Sequence, residues 1–489
     1  MRRSTRLPIV RRLIAGKPRR PATPPRRAIF VPPSVGPGPG ANARRHAQLF
    51  VLAFVVLIAA GTAVLATPWV TRAREPTPVI DAFFTAVSAS SVTGLVVVDT
   101  LEHWNWFGQL VVLALIQIGG LGFSVGASIL LQMLRRGAGS YTLRDEMLLK
   151  DGAPALSLRE AVALAEQIIR FTLIVEGAGA VILATWFATA ADMHLLDAVW
   201  NGLFYAIAAF CNAGFDLAGG FLSLQPVATD VWVNLVLMAL IQAGALSYII
   251  FADVTRQRSW RSLALDTKIV LALNTLLLGG GALVFLAAEW GGALAGHPIG
   301  SKALASLFQS VAARTAGFTT VDWNLAHPLT LFFWLGLMFI GGASGSTAGG
   351  VRLNTVGVVV AAVFSTLRGN PETQVWGRRI ATPLVFRAVT VIAIYLLLYG
   401  VVTVSLSTAE HHVGHRETGM IHLMFESMSA LATVGVSTGI TPALTAAGKL
   451  ILCAAMFVGR LGPLTAVYAL QRHQRAERYR FPEEAVRIG

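Results

Sequence analysis

One short stretch near the C-terminus reads Ala432-Thr433-Val434-Gly435-Val436 and follows a short apolar segment. Three earlier stretches match it in register: Ser91-Val92-Thr93-Gly94-Leu95, Cys211-Asn212-Ala213-Gly214-Phe215 and Arg314-Thr315-Ala316-Gly317-Phe318. A phenylalanine precedes each glycine by nine or ten residues. A second landmark recurs downstream at Gln117-Ile118-Gly119-Gly120, Gln242-Ala243-Gly244-Ala245, Ile340-Gly341-Gly342 and Val458-Gly459-Arg460. Two landmarks in register indicate an internal fourfold repeat.

The apolar segments around these stretches have two lengths. Long runs cover 48–69, 106–133, 161–190, 228–252, 267–290, 328–366, 383–406 and 443–470. Short runs cover 79–89, 195–209, 302–313 and 418–431. Spanning a bilayer takes about 20 helical residues, whereas the short runs give helices of only about 16–22 Å. The order long, short, long predicts four repeats, with eight spans and four re-entrant half-helices.

The composition fits a membrane protein. Hydrophobic residues make up 55% of the 489 residues and charged residues 13%, whereas soluble domains carry roughly 25% charge. A soluble enzyme, a disordered protein and a fibre are therefore excluded. The sequence holds no nucleophile–base arrangement and no clustered metal ligands, so we expect neither an enzyme nor a bound cofactor. The fold class predicted is an all-α polytopic membrane protein.

The basic residues predict the orientation. Residues 1–47 contain eleven arginines and Lys17 without any acid, which accounts for 12 of the 14 net positive charges. Prolines make this segment a disordered cytoplasmic tail, with attraction to membrane lipid rather than nucleic acid as its expected property. Arginines also mark 134–160, 253–268 and 366–382 as cytoplasmic. With eight spans, the C-terminal tail is cytoplasmic too.

These signals predict the domain organisation as a linear series. The basic tail covers 1–47, repeat 1 covers 48–133, a cytoplasmic linker covers 134–160, repeat 2 covers 161–252, repeat 3 covers 253–366 with its second helix broken at 341–350, repeat 4 covers 367–470 and the C-terminal tail covers 471–489.

The four glycine-centred stretches predict an ion filter. Irregular backbone within a bilayer must line water or be buried in protein. The C-terminal ends of the short helices carry partial negative charge, and the turns can present rings of carbonyls that replace the hydration shell of a monovalent cation. The candidate ion-binding residues are Val92, Thr93, Gly94, Asn212, Ala213, Gly214, Thr315, Ala316, Gly317, Thr433, Val434 and Gly435.

These motifs resemble those of a known family. Thr433-Val434-Gly435 is similar to the core of potassium-channel filters, and the four-repeat plan with Gly459-Arg460-Leu461-Gly462-Pro463 resembles the Trk/Ktr/HKT superfamily of potassium transporters. Without an extra helix pair before repeat 1, the chain is more similar to the Ktr-type membrane subunit. The resemblance implies four pore-loop repeats around one pseudo-fourfold pathway, K⁺ at the filter carbonyls and K⁺ uptake across a bacterial inner membrane. It also implies a homodimer and a soluble nucleotide-binding regulatory ring on the cytoplasmic face.

Departures from the family pattern leave the ion preference open. Repeats 1 to 3 lack the full threonine-valine-glycine triplet, and Val436 follows Gly435 where an aromatic residue is typical. A less selective Na⁺/K⁺ transporter, or Na⁺ dependence, remains an alternative. A secondary transporter of another small solute is a further alternative, although broken-helix transporters of that class carry two inverted halves.

A glycine-rich stretch within repeat 3 is the candidate gate. It consists of Gly341, Gly342, Ala343, Ser344, Gly345, Ser346, Thr347, Ala348, Gly349 and Gly350. Glycines disfavour a helix by about 1 kcal/mol each, so we expect a break beneath the filter that obstructs the path. A packing patch of small residues is the alternative. Arg460 replaces the Gly120, Ala245 or Gly342 of the other repeats, and we expect it to face the pathway as part of the gate, with a packing arginine as its alternative.

Two charged residues flank filter segments, namely Arg314 and Glu426. A salt bridge between them would brace two neighbouring short helices, and this is a hypothesis of the sequence.

Overall fold

A computed structural model describes residues 41–137, 158–411 and 419–462, and these residues are predominantly helical. The predicted basic tail lies almost entirely outside the described residues, as do most of the linker 134–160 and all of the tail 471–489. The helices are α1 (Ala41–Leu65), α2 (Val79–Ser91), α3 (Thr100–His103), α4 (Trp106–Gly137), α5 (Leu158–Thr189), α6 (Leu195–Phe210), α7 (Val231–Leu246), α8 (Tyr248–Gln257), α9 (Leu265–Ala288), α10 (Ile299–Ala312), α11 (Pro328–Phe339), α12 (Leu353–Leu367), α13 (Thr382–His411), α14 (Met420–Leu431) and α15 (Ala446–Leu461).

The four short apolar runs form short helices, as predicted. They are α2, α6, α10 and α14, and their ends lie within three residues of the predicted ends. Their C-terminal halves are buried, and each is followed at once by one of the glycine-centred stretches. These helices therefore bring the predicted filter residues into the protein interior.

The second long helix of repeat 2 differs from the prediction. The run 228–252 was expected to be one straight span, but α7 and α8 meet at a bend of 93°. Ser247 separates them with a φ of +70°, which no helix accommodates. The helix α8 therefore runs across the direction of α7.

The chain between α11 and α12 is not helical. The interruption begins at Ile340 and ends at Arg352, so it includes the whole glycine-rich stretch. Its two ends are joined, because Ile340 and Val351 form a parallel bridge and the N–H of Gly341 donates to the carbonyl of Val351 at 2.9 Å. The stretch is thus a loop with a closed base.

Among the described residues, four helices are long and apolar enough to cross a membrane, or five if α7 and α8 count as one span. The four are Trp106–Gly126 of α4, Val162–Thr189 of α5, Leu265–Ala288 and Thr382–His411. The apolar part of α1 (Val51–Leu65), α11 and α12 are shorter. These helices fit a multi-pass membrane protein, while the count of eight spans stays a prediction.

One small sheet corrects the all-α prediction. Gln374–Val375 (β1) and Arg378–Arg379 (β2) pair antiparallel as a hairpin in the segment between α12 and α13. Trp376 and Gly377 connect the strands, both with positive φ. A turn of this kind is typical of two-residue hairpin loops.

The helices pack in a cyclic order. In addition to contacts within each repeat, α4 packs on α6, α7 on α10, α11 on α14, and α15 on α2. Each second helix therefore contacts the short helix that follows in the cycle. The last contact is reinforced by an ion pair of 2.7 Å between Lys449 and Asp81, both mostly buried. The arrangement places the four short helices around a common centre.

Glycines explain how closely the second helices approach these short helices. Gly119, Gly244 and Gly459 pack against the carbonyls of Ser90, Phe210 and Leu431 respectively, in the last turn of a short helix. A Cβ at any of the three positions would overlap that carbonyl oxygen. The second landmark of the sequence repeat is therefore a packing requirement.

Candidate functional site

The four glycine-centred turns share one backbone conformation. Two positions in each turn have positive φ, separated by one residue. The first positions are Val92, Asn212, Thr315 and Thr433, with φ between +50° and +65°, and the second are Gly94, Gly214, Gly317 and Gly435, with φ between +69° and +95°. Glycine adopts such values without steric cost, whereas the other residues bear strain that the surrounding structure must offset.

The four turns form a closed ring in chain order. The carbonyl oxygen of the middle residue in each turn lies against the glycine of the preceding turn. The pairs are Gly94 with Ala213, Gly214 with Ala316, Gly317 with Val434, and Gly435 with Thr93. A Cβ added to Gly214 would stand 3.0 Å from the oxygen of Ala316, and one added to Gly317 would stand 2.9 Å from that of Val434. The four turns therefore contact one another in a closed cycle, with one backbone carbonyl at each contact.

The electrostatics of the ring favour a cation. All twelve predicted filter residues are buried, and each turn begins where a short helix ends. The C-terminus of a helix carries a partial charge of roughly −0.5, so four such ends face the same region. Carbonyl dipoles and helix ends together can replace part of the hydration shell of a monovalent ion.

The glycine-rich loop lies directly against this ring. The side chain of Thr347 donates to the carbonyl of Phe210 at 3.1 Å, and the N–H of Gly349 donates to the hydroxyl of Thr315 at 3.0 Å. Gly349 also fits so closely against Thr433 that a Cβ there would overlap its hydroxyl. The hydroxyl of Thr347 also lies 3.3 Å from Oδ1 of Asn212, so the loop contacts turns 2, 3 and 4 of the ring.

The same loop explains the bend in repeat 2. The N–H of Ala343 donates to the carbonyl of Ala245 at 2.8 Å, and that of Thr347 donates to Gly244 at 3.2 Å. In a continuous helix these carbonyls would accept from residues four positions later. The loop takes their place as the donor, so the chain can turn at Ser247 without leaving buried carbonyls unpaired.

Arg460 joins the loop to repeat 1. Its side chain is 1% exposed, and its Nη1 donates to the carbonyl of Thr347 while its Nη2 lies 3.4 Å from the carbonyl of Gly119. Arg352 holds the loop from another direction, donating to the carbonyl of Ala348 and to the hydroxyl of Ser346 at 3.3 Å. Two guanidinium groups therefore fix the centre of the loop.

The hypothesis of a bridge between Arg314 and Glu426 is wrong. Arg314 donates to the carbonyl of Ile340 at 2.8 Å, where α11 ends and the loop begins. Glu426 instead accepts from the N–H of Thr438 at 3.1 Å and from the hydroxyl of Thr441 at 3.0 Å. Arg314 thus caps the broken helix, and Glu426 secures the chain that follows turn 4.

Residues 38–477 match the family model described as TrkH, cation transport protein. The chain belongs to this family. Two similar relatives are the potassium/sodium uptake protein NtpJ of Enterococcus hirae, 36% identical over 90% of this chain and 97% of the relative, and the Ktr system potassium uptake protein B of Bacillus subtilis, 34% identical over 90% and 96%. The Ktr system potassium uptake protein B of Vibrio alginolyticus is 33% identical over 84% of this chain and 88% of its own length.

A solved structure supports the same fold. The crystal structure of the potassium transporter TrkH from Vibrio parahaemolyticus superposes with a TM-score of 0.68 at 20% identity, covering 88% of this chain and 85% of that chain. Together with the family model and the relatives, this fold confirms the resemblance to the Trk/Ktr/HKT superfamily.

Sequence reasoning missed two residues that brace the turns of this TrkH-family protein. The hydroxyl of Ser88 accepts from the N–H of Gly94 at 3.1 Å, and that of Ser429 accepts from the N–H of Gly435 at 3.1 Å. The signal was available, because each serine stands six residues before its glycine, where repeats 2 and 3 have Ala208 and Val311. Turns 1 and 4 are therefore supported by side chains that the other turns lack.

Removing the brace at turn 4 is expected to loosen ion discrimination. In Ser429→Ala the N–H of Gly435 loses a hydrogen bond worth about 1 kcal/mol, so the K⁺ over Na⁺ flux ratio should fall about two- to fivefold. Ser427→Ala is the matched control, since the Ser427 hydroxyl on the same helix has no partner among the described residues. Equal flux ratios in both variants, measured in reconstituted vesicles, would contradict the bracing role.

Proposed function

We propose that this protein is the ion-translocating subunit of a potassium uptake system. Ions pass passively through one pathway per chain, down the electrochemical gradient, and a filter made of backbone carbonyls selects them. The observation that carries this proposal is the closed ring of four carbonyls, from Thr93, Ala213, Ala316 and Val434. The names of the relatives from Enterococcus hirae and Bacillus subtilis support K⁺ as the ion.

The proposed architecture is four repeats and eight spans around that ring. It is supported by the cyclic packing of second helices on the next short helix and by the common φ pattern of the turns. The boundaries that we propose remain 48–133, 161–252, 253–366 and 367–470. The shorter helices α1 and α15, and the pairs α7–α8 and α11–α12, would each supply one span in this scheme.

We propose that the loop 341–350 is the gate and that Arg460 keeps it closed. The support is its position against turns 2, 3 and 4 and its hydrogen bond from Arg460 to Thr347. A pure packing patch would not need backbone N–H groups paired with Gly244 and Ala245 of another repeat. In a helix the backbone N–H groups would bond within the helix itself. Here they bond to carbonyls of repeat 2, which suits a segment that is held in place and can be released.

The assembly and location that we propose follow the family. The chain would form a homodimer in a bacterial inner membrane, with both termini in the cytoplasm and a nucleotide-binding ring docked on that face. The relatives named as B proteins of the Ktr system support a partner subunit, because that name denotes one component of a system.

A less selective Na⁺/K⁺ transporter is the second candidate. The relative from Enterococcus hirae is named a potassium/sodium uptake protein. In this chain the turns differ in composition and in their braces, since only turns 1 and 4 have a serine hydroxyl on the glycine N–H. A ring whose four turns are braced unequally can adapt to the smaller Na⁺ at a lower free-energy cost than a ring of four identical turns.

Growth of a bacterium deficient in potassium uptake tests the proposal. The chain, expressed with a Ktr-type ring subunit, should restore growth at low K⁺, and varying Na⁺ should separate the two candidates. Growth that requires Na⁺ would favour coupling or mixed selectivity. Failure to grow, with the protein shown to be folded in the membrane, would refute potassium uptake.

Deleting 343–348 is expected to raise K⁺ flux, because these residues make the contacts with Gly244, Ala245, Phe210 and Arg460. The deletion is sterically feasible, since Gly341 and Gly349 already touch at the base of the loop. Flux into vesicles should increase without a change in the K⁺ over Na⁺ ratio. Equal or lower flux in folded protein would support the packing alternative.

A further inference from the structure

A basic and aromatic patch lies outside the ion pathway. It is formed by the chain between α8 and α9 and by the β1–β2 hairpin, which meet where the rings of Trp260 and Trp376 pack edge to face at 6.1 Å. Both rings are about half exposed, at 48% and 51%. The exposed arginines of this patch are Arg256, Arg258, Arg261, Arg378 and Arg379.

The acids near the patch are already engaged. Asp253 accepts from the N–H of Ala264 at 3.0 Å and from the hydroxyl of Thr267 at 2.6 Å. Glu372 pairs with Arg379 at 3.0 Å, and Asp266 accepts from the side chain of Asn354. Four of the five arginines thus have no acidic partner among the ion pairs of the described residues.

The patch lies close in sequence to the first residues of two apolar helices. Trp260 precedes the first residue of the apolar helix α9 by five positions, and Trp376 precedes that of α13 by six. The segments are therefore too short to carry the two rings far from the ends of these helices, and we expect the patch to lie near the lipid headgroups. Tryptophan and arginine together are typical of the membrane interface, where the ring sits among headgroups and the cation meets phosphate.

We propose that this patch binds the headgroups of anionic phospholipids and thereby steadies the gate loop. Anionic headgroups attract clustered arginines near the surface, and the exposed Trp260 and Trp376 provide the interfacial anchors. An acidic protein surface fits less well, because the patch stands beside the apolar helices α9 and α13 rather than on a projecting domain. The binding itself is independent of the proposed function, while the effect on the gate rests on it.

Two sets of contacts connect the patch to the loop. The helix α8 begins three residues after Ala245, and the carbonyls of Gly244 and Ala245 accept from the loop. From the other side, the side chain of Asn354 accepts from the N–H of Ser344 at 2.9 Å and donates to Asp266 at the start of α9. A headgroup that binds the segment between α8 and α9 would therefore also restrict the movement of the gate loop 341–350.

Native mass spectrometry of the full-length protein in detergent tests the binding. Phosphatidylglycerol should bind more than phosphatidylcholine, and the combined Arg258→Gln, Arg261→Gln and Arg378→Gln variant should bind phosphatidylglycerol at least about tenfold more weakly. Arg74→Gln, which removes an exposed charge from the loop between α1 and α2, should bind like the wild type. The N-terminal tail is the same in all three proteins, so its arginines cancel in the comparison.

Unchanged phosphatidylglycerol binding in the triple variant would overturn the proposal. The proposal would also be overturned if the triple variant kept its lipid binding but no longer bound an acidic ring subunit. That result would identify the patch as a protein-docking surface. In vesicles, K⁺ flux should be lower with phosphatidylglycerol than with phosphatidylcholine, and the triple variant should lose this difference. A difference that persists would refute the link to the gate. No K⁺ flux in either lipid would count against potassium transport and leave the binding result valid.

Discussion

Replacing Arg460 by alanine is expected to raise K⁺ flux at least about tenfold and leave the K⁺ over Na⁺ ratio unchanged. Facing the pathway, the charge would repel K⁺ by about 2–3 kcal/mol at about 6–8 Å with an effective ε near 20. The same side chain holds the loop through the carbonyl of Thr347. Arg460→Ala therefore removes both the electrostatic repulsion and the hydrogen bond that holds the loop, and it leaves the carbonyl ring unchanged.

Lysine at position 460 separates the two effects. It keeps the positive charge but loses the forked donors that reach both Thr347 and Gly119. We expect Arg460→Lys to give flux between that of the wild type and Arg460→Ala. Adding Arg460→Ala to the deletion of 343–348 should raise flux by less than the sum of the two single effects. The deletion already removes Thr347, whose carbonyl accepts the hydrogen bond from Arg460. Wild-type flux in folded Arg460→Ala would show that the arginine serves packing alone.

The conformation of the four glycine-centred turns could be predicted because its signals are local. A short apolar run predicts a helix too short to span the bilayer. A glycine at the same position of each repeat predicts a positive φ at that residue. Gly94, Gly214, Gly317 and Gly435 all have that conformation. The left-handed backbone of Val92, Thr315 and Thr433 carries no such signal, since β-branched residues rarely adopt positive φ.

The bend at Ser247 could not be predicted, because its cause is distant in the chain. The run 228–252 is mostly apolar and contains no proline, and a single glycine such as Gly244 does not by itself end a helix. The bend is stabilised by hydrogen bonds from Ala343 and Thr347, which become neighbours only after the repeats assemble. At this bend, hydrogen bonds to a distant segment of the chain outweigh the local preference for a continuous helix.

The predicted pairing of Arg314 with Glu426 is wrong because two residues that each flank a filter segment in the sequence can lie at different depths. In the repeat register Arg314 corresponds to Ala432, which lies six residues after Glu426. At a helical rise of 1.5 Å this separates their depths by about 9 Å. Arg314 is at the inner end of its short helix, where the broken helix needs a cap, and Glu426 faces the segment after turn 4.

Replacing Gly435 by serine is expected to lower the K⁺ over Na⁺ flux ratio at least about tenfold, the largest selectivity effect in the chain. Gly435 has a φ of +92°, which a side chain rarely adopts. A Cβ there would overlap the carbonyl oxygen of Thr93. That carbonyl closes the ring between turns 4 and 1, so it must move, and in the proposed filter this displaces an oxygen that would coordinate the ion.

Gly439→Ser provides the matched control for this experiment. Gly439 is four residues farther along and has a nearly equal φ of +87°, yet a Cβ there meets nothing within 4 Å. The two substitutions therefore impose similar backbone strain, and only one of them disturbs the carbonyl ring. We expect the Gly439 variant to keep the wild-type flux ratio even if its stability falls by about 1 kcal/mol. If both variants lost discrimination equally, general strain would explain the effect, and if neither did, the ring would not be the filter.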